Sequence, residues 1–242
     1  MEVKDRIDIF STLDELRTAV YGDPVKILPE TFLMKVKKFK HRFGNTYALR
    51  HLNRKDLILI DAIRPENKPA IDQFLDQGYQ VRGILLTHGD LIKQAYADLH
   101  HISEELGNAP IFMHPLDAGE YGDLITDITE PNFVLEDFGI ESYHYPGHTP
   151  GSVILYSERN EGMLFAGDSA VGSPYDQDDY YFERPPIEND ETDFGLAQNW
   201  KRFVKPFKHF LPLHGKPQFG LSEPQQKDII LNLTKDQKTE SL

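Results

Sequence analysis

None of the 242 residues is a cysteine, which excludes disulfide frameworks, thiolate zinc sites and cysteine nucleophiles. Any metal must be held by His, Asp or Glu. Positive charge is also scarce: 26 Lys and Arg stand against 39 Asp and Glu, a formal net charge of −13 that repels phosphate backbones and anionic membrane surfaces. Neither nucleic acid nor a membrane is expected as a partner. No run approaches the roughly 18 consecutive apolar residues of a spanning helix, and the opening MEVKDRIDIF lacks the apolar stretch of a secretory leader, so a cytoplasmic protein is expected. Nucleotide-binding glycine fingerprints and a serine nucleophile elbow are missing too, which argues against nucleotide enzymes and serine hydrolases. What is present is a globular composition: 39% hydrophobic and 27% charged residues, with no collagen-like, coiled-coil or disordered bias. The length suits one large domain or two small ones and is ample for a sizeable core.

Hydrophobic spacing gives the organisation. Residues 25–39 and 45–51 are rich in β-branched and aromatic side chains and read as strands around a break at Gly44 and Asn45, the start of a β-meander. DLILIDA (56–62) reads as a buried strand, residues 67–78 as a helix carrying Ile71, Phe74 and Leu75, and VRGILLTH (81–88) as another strand. Leu91, Ala95, Leu99, Ile102 and Leu106 predict a helix over 91–106, so the middle of the chain alternates βαβα. Further strands are expected at 109–114, 140–145, 152–157 and 163–168, with a short helix near Asp117. Residues 176–193 hold eight acidic residues and read as a surface loop; a helix at 195–207 and a last strand at 208–215 follow. The expected domain is 25–222, with 1–24 an extension packing on it and 223–242 a terminal helix or tail.

Three of the ten histidines stand directly after apolar runs and beside glycine: His88 in ILLTHGD, His148 in YPGHTPGS and His214 in FLPLHGK. Asp168 in LFAGDS has the same kind of position. In layered α/β folds, ligands collect where loops leave strand ends, because the sheet fixes the backbone while the loop leaves the side chain open. One such histidine is ordinarily structural; four strand-end residues of metal-ligating type point to a shared site.

These anchors, in order GNTYALRH, LILIDA, LLTHGD, PIFMHPLDA, PGHTPGS, LFAGDS and LPLHGKP, resemble the metallo-β-lactamase-fold superfamily over about residues 30–217, in particular its glyoxalase II-like hydrolases. The resemblance implies an α/β fold, a four-layered αβ/βα sandwich, with one or two divalent ions at the sheet edge and hydrolysis of an ester, thioester, amide or phosphodiester. The sequence departs from the family at its Thr-His-x-His-x-Asp-His motif, which here reads Thr87, His88, Gly89, Asp90, Leu91, Ile92, Lys93. The implied ligands are therefore His88, Asp90, His148 and Asp168, with His214 an outer ligand or proton-transfer group beside Asp168, and too few groups remain for a tight second ion.

Lys93 either supplies charge where the second ion would lie, pairing with Asp168, or points to water. Asp90 either ligates or caps the following helix. Asp61 is expected to support the metal loops through hydrogen bonds. The segment 173–186 follows Asp168 closely; Tyr175, Tyr180, Tyr181 and Phe182 would line a substrate mouth and Arg184 would anchor an anionic group, unless the segment is a plain surface loop. His114 and His144 read as structural residues. The expected cofactor is one divalent ion, zinc, iron or manganese, or none if Lys93 takes its place. Expected partners are a small-molecule substrate and, at most, a second copy of the chain. Two other functions stay open: iron-dependent oxidation of a sulfur compound of the persulfide dioxygenase type, using His88, His148 and Asp168, and a non-catalytic binding module.

Overall fold

The computed structural model describes residues 9–37, 43–174, 181–187 and 190–235. Helix α1 (Ile9–Thr18) precedes a meander of four antiparallel strands, β1 (Pro24–Leu28), β2 (Thr31–Lys37), β3 (Phe43–Arg50) and β4 (Asp56–Ile60). Gly44 and Asn45 lie inside β3 rather than at a break, because both pair with β2. After β4 the connections become right for parallel pairing: α2 (Lys68–Asp76) leads to β5 (Gln80–Leu85), and α3 (Leu99–Glu105) leads to β6 (Ile111–Met113), which pairs in turn with β7 (Ile125–Asp127). The second half adds α4 (Phe133–Asp137), β8 (Glu141–His144), β9 (Val153–Ser157), β10 (Met163–Gly172), β11 (Phe182–Glu183), α5 (Asp190–Arg202), β12 (His209–His214) and α6 (Glu223–Thr234).

All the strands form one hydrogen-bonded path, β7-β6-β5-β4-β3-β12-β10-β9-β8, with β2, β1 and β11 attached at its sides. Its seam is thin, since β3 and β12 share a single pair, Gly44 with His214. Pro212 within β12 has no N–H to give a ladder. Side chains hold the seam instead: Tyr47 Oη and Asn45 Nδ2 donate to the Pro212 carbonyl at 2.8 and 3.0 Å, and Asn45 Nδ2 also reaches the Gly215 carbonyl. At this seam the path folds back, and its two halves face each other.

Strand alternation then sorts the core into three apolar layers. Ile58, Ile60, Val153, Leu155, Met163 and Phe165 point between the halves, joined by Leu16 of α1. Leu57 and Leu59 point the other way, onto Ile71 and Phe74 of α2 and Leu99 and Ile102 of α3. Ile154, Tyr156 and Leu164 meet Leu196 and Trp200 of α5 and Ile229 and Leu233 of α6. Three apolar interfaces separate four layers, helices, sheet, sheet, helices, so the chain is a four-layered αβ/βα sandwich. Among the described residues no helix is long and apolar enough to cross a membrane.

Two further sequence expectations are corrected. The periodic stretch 91–106 is broken: residues Gly89–Gln94 form a 3₁₀ helix, Ala95 is extended, and a new helix starts at Leu99 because the Asp98 carboxylate accepts the His100 N–H at 2.9 Å and caps it. Likewise residues 190–193 belong to the start of α5 rather than to a loop. Residues 175–180 and 188–189 of the acidic segment, Tyr175 and Tyr180 among them, lie outside the described residues.

Far from the strand-end histidines, His209 at the start of β12 is 8% exposed and its Nδ1 has no hydrogen-bond partner. Burial pushes its pKa down to about 4, below the ordinary 6.5 it regains on unfolding. The unfolded chain therefore binds more protons in this window, and the contribution to stability is full above pH 6.5 and lost as pH falls toward 4. His209→Leu is expected to shrink the stability lost between pH 7 and pH 5 by about 2 kcal/mol relative to the parent, read from urea melts at the two pH values; an unchanged difference would refute the assignment.

Candidate metal centre

His88, His148 and Asp168 come from three separate places in the chain and meet at one edge of the sandwich. His88 leaves β5 after Leu86 and Thr87, and its ring is almost fully buried. His148 sits in the loop between β8 and β9 and is partly exposed. Asp168 lies within β10 where the ladder to β12 slips: Phe165 pairs with Leu211 and Gly167 with Pro212, but the next pair is Val171 with His214. This irregularity lifts Asp168 out of the regular ladder. Gly167, at φ +51°, makes it feasible, since a Cβ there would lie 2.6 Å from Thr87 Oγ1.

Asp168 Oδ2 is 3.6 Å from His88 Nε2 and 3.4 Å from His148 Nε2, and the three ligating atoms fall within 4.8 Å of one another. On the other side, His214, the last residue of β12, puts Nε2 3.2 Å from Asp168 Oδ1, but without hydrogen-bond alignment; Oδ1 is buried with no donor, and His214 Nδ1 is equally unsatisfied. Buried polar atoms without partners are uncommon and ask for a missing one. Burial works against ionisation of Asp168, but the imidazoles of His214, His88 and His148 outweigh it and hold the carboxyl below the ordinary carboxylate range. Burial also pushes His88 down to about 4. At neutral pH the site thus offers a neutral imidazole and a carboxylate, the protonation states in which both ligate. Two imidazoles and one buried carboxylate fit a divalent ion.

Supporting groups fix the rings. Asp61, the first residue after β4, accepts the Thr87 N–H and Oγ1–H at 2.8 Å each, and Thr87 Oγ1 lies 3.1 Å from His88 Nδ1, leaving Nε2 turned to Asp168. Burial pushes the Asp61 carboxyl up to about 7. Asp90 stands at the open side, 42% exposed at its side chain, with Oδ2 3.5 Å from His148 Nε2 and Oδ1 accepting from Lys93 Nζ at 2.9 Å. The hydrogen bond from Lys93 holds Asp90 below the ordinary carboxylate range. Lys93 is 80% exposed and pairs with Asp90, not with Asp168. Of the two alternatives for Asp90, the helix cap is not formed: the short helix after His88 has no side-chain cap hydrogen bond.

Arg184 is not at the mouth. It is 2% exposed, its guanidinium bonds both oxygens of Asp193 at 2.7 Å, and it donates to the Leu233 and Lys235 carbonyls. A buried guanidinium must be paired, and this one clamps the ends of α5 and α6. Sequence reasoning passed over Asp117 as a site residue. Placed by the turn after β6 (Pro115–Asp117), it accepts the Gly89 N–H at 2.8 Å and the Thr149 hydroxyl at 2.5 Å on Oδ2, and the Gly151 N–H at 2.8 Å on Oδ1. One carboxylate therefore ties the His88 loop to the His148 loop. The glycines that follow each ligand histidine were the available signal, since a Cβ on Gly89 or Gly151 would crowd Asp117 to 3.0 or 2.6 Å. His114 and the exposed His144 stack at 4.1 Å, and His144 Nε2 contacts the Pro150 carbonyl in the His148 loop at 2.9 Å.

The sequence matches no protein-family model and no curated protein. Solved structures do match: DIM-1 metallo-beta-lactamase (16% identity, 88% of this chain and 98% of that one, TM-score 0.62), TMB-1 (16%, 88% and 97%, 0.63) and a metallo-beta-lactamase from Pontibacter korlensis (15%, 87% and 99%, 0.61). At such identities the likeness establishes architecture. The chain has the metallo-β-lactamase fold.

Proposed function

We propose that this chain is a metal-dependent hydrolase of the glyoxalase II-like kind, acting in the cytoplasm on a small ester, thioester or related molecule through a reduced, one-ion site. The observation that carries the reading is the convergence of His88, His148 and the buried Asp168, whose ligating atoms lie within 4.8 Å of one another and whose carboxylate turns Oδ2 to both imidazoles. These three would hold zinc, iron or manganese, with Asp90 beside His148 as the fourth group. When bound, such an ion supplies Lewis acidity and an acidified water near neutral pH. The chain's own residues do the rest. Thr87 and Asp61 orient His88, Asp117 joins the two histidine loops, and His214, next to Asp168, is placed to accept or return a proton. Asp90 and Lys93 at the open side meet a substrate as it enters.

The test is elemental analysis of untagged protein purified without chelator, together with an ester, thioester and phosphodiester panel. About one ion per chain and ion-dependent hydrolysis are expected, and His148→Ala is expected to lose both. Full hydrolysis in that variant would overturn the mechanism, and a folded chain that takes up no ion would make it a binding module. A second reading rests on the same trio, because two histidines and one carboxylate with open positions also suit ferrous oxygen chemistry. Iron(II)-dependent oxygen uptake with a low-molecular-weight persulfide, without hydrolysis of the panel, would select it.

A further inference from the structure

On the outer face of the second half, the C-terminal end of α5, the segment 203–207 and α6 enclose an open cavity of about 730 Å³. The volume falls in the roughly 300–1,000 Å³ range of small-molecule sites. Its apolar surface includes Phe203, Ile230 and two exposed side chains that lie together in the groove, Val204 at 87% and Leu231 at 57% exposure. Three lysines line it, Lys201, Lys205 and Lys227, against one acidic residue, Glu223. Lys205 Nζ is taken by Glu141 Oε1 at 2.9 Å, whereas among the described residues Lys201 and Lys227 have no ion-pair partner.

We propose that this groove binds a single-chain amphipathic anion, a long-chain carboxylate, with the chain on the apolar surface and the head between Lys201 and Lys227. Charge decides the occupant. On a protein with a formal charge of −13, a local excess of ammonium groups around an apolar groove complements an anion with a hydrocarbon body and disfavours a cation. Lys201 in the last turn of α5 also suits the helix dipole, but Lys227 lies within α6 and has no such role. A second copy of the chain fits less well, because a two-fold contact through this face brings two lysine-rich surfaces together, with only one acidic residue on each to offset them. The inference does not depend on the metal site.

The experiment is isothermal titration of the full chain with dodecanoate below its micellisation concentration, in the presence of chelator and again with added zinc. Saturable one-to-one binding is expected in both conditions, at least tenfold weaker for dodecyltrimethylammonium. Val204→Glu and the pair Lys201→Glu with Lys227→Glu are each expected to weaken dodecanoate tenfold or more, with circular dichroism and ion content unchanged; should Val204→Glu fail to fold, the lysine pair carries the test. Absence of saturable binding, or equal affinity in the folded variants, overturns the proposal. So does self-association of the parent, seen by light scattering and abolished by Val204→Glu without any dodecanoate binding, which would assign the groove to a second copy.

Discussion

On the proposed one-ion reading, Asp168→Asn is expected to abolish stoichiometric ion uptake and to lower hydrolysis by about 10²–10³-fold or more, the scale on which loss of one preorganised charge-stabilising group is felt. The substitution keeps shape and removes the charge around which His88, His148 and His214 are gathered. Excess chelator separates the site from the fold. In its presence the variant is expected to stay folded, since the inner-core packing of Phe165 and Leu155 is untouched, but to melt below the parent because it lacks the charge that the imidazoles stabilise. Adding zinc at about 100 times its dissociation constant contributes about 2.7 kcal/mol to the parent. For a domain of this size that is a rise of roughly 5–10 °C, and it is expected to vanish in the variant. A variant that keeps one ion per chain and the full thermal rise would place the ion elsewhere, while one that keeps the ion but not the activity would make Asp168 a proton-handling residue.

Much of this site was legible before any coordinates because its chemistry sits at strand ends, and strand ends are where hydrophobic periodicity stops. His88, His148, Asp168 and His214 each follow or interrupt an apolar run, and the structure gathers all four. The meander and the βα alternation were legible for the same reason, since residues such as Ile58 and Leu59 must alternate between two apolar layers. Illegible were features set by a single hydrogen bond or by tertiary pairing. The Asp98 cap broke a helix that periodicity alone continues. Arg184 looked like an anion anchor because it follows an aromatic-acidic run, but its partner is Asp193, and nothing in the spacing says whether a guanidinium faces solvent or a helix end. Lys93 was one pairing away: three residues from Asp90 on a short turn, it meets that carboxylate before it can approach Asp168.

Asp117→Ala is expected to damage both stability and metal affinity, because this carboxylate is the common acceptor for the backbone of Gly89, the backbone of Gly151 and the hydroxyl of Thr149. Removing it leaves those donors to imperfect hydration between two loops, a loss of about 2–4 kcal/mol when bonds to a charged group are half-buried. That corresponds to a melting temperature lower by roughly 5–15 °C at this chain length. The loops it ties carry His88 and His148, so their rings lose their common frame, and ion affinity is expected to fall about 10–100-fold, as it does when other supporting groups around metal ligands are removed. Asn is not a full substitute. Its amide has one acceptor atom where the structure uses both oxygens, so whichever way it is turned an NH₂ faces a donor. Asp117→Asn is therefore expected to fall between parent and Asp117→Ala in both measurements, with zinc affinity taken from competition with a chromophoric chelator. Loss of stability with unchanged zinc affinity would confine Asp117 to the fold; the coupled loss would make it the residue that keeps two distant loops in ligating register.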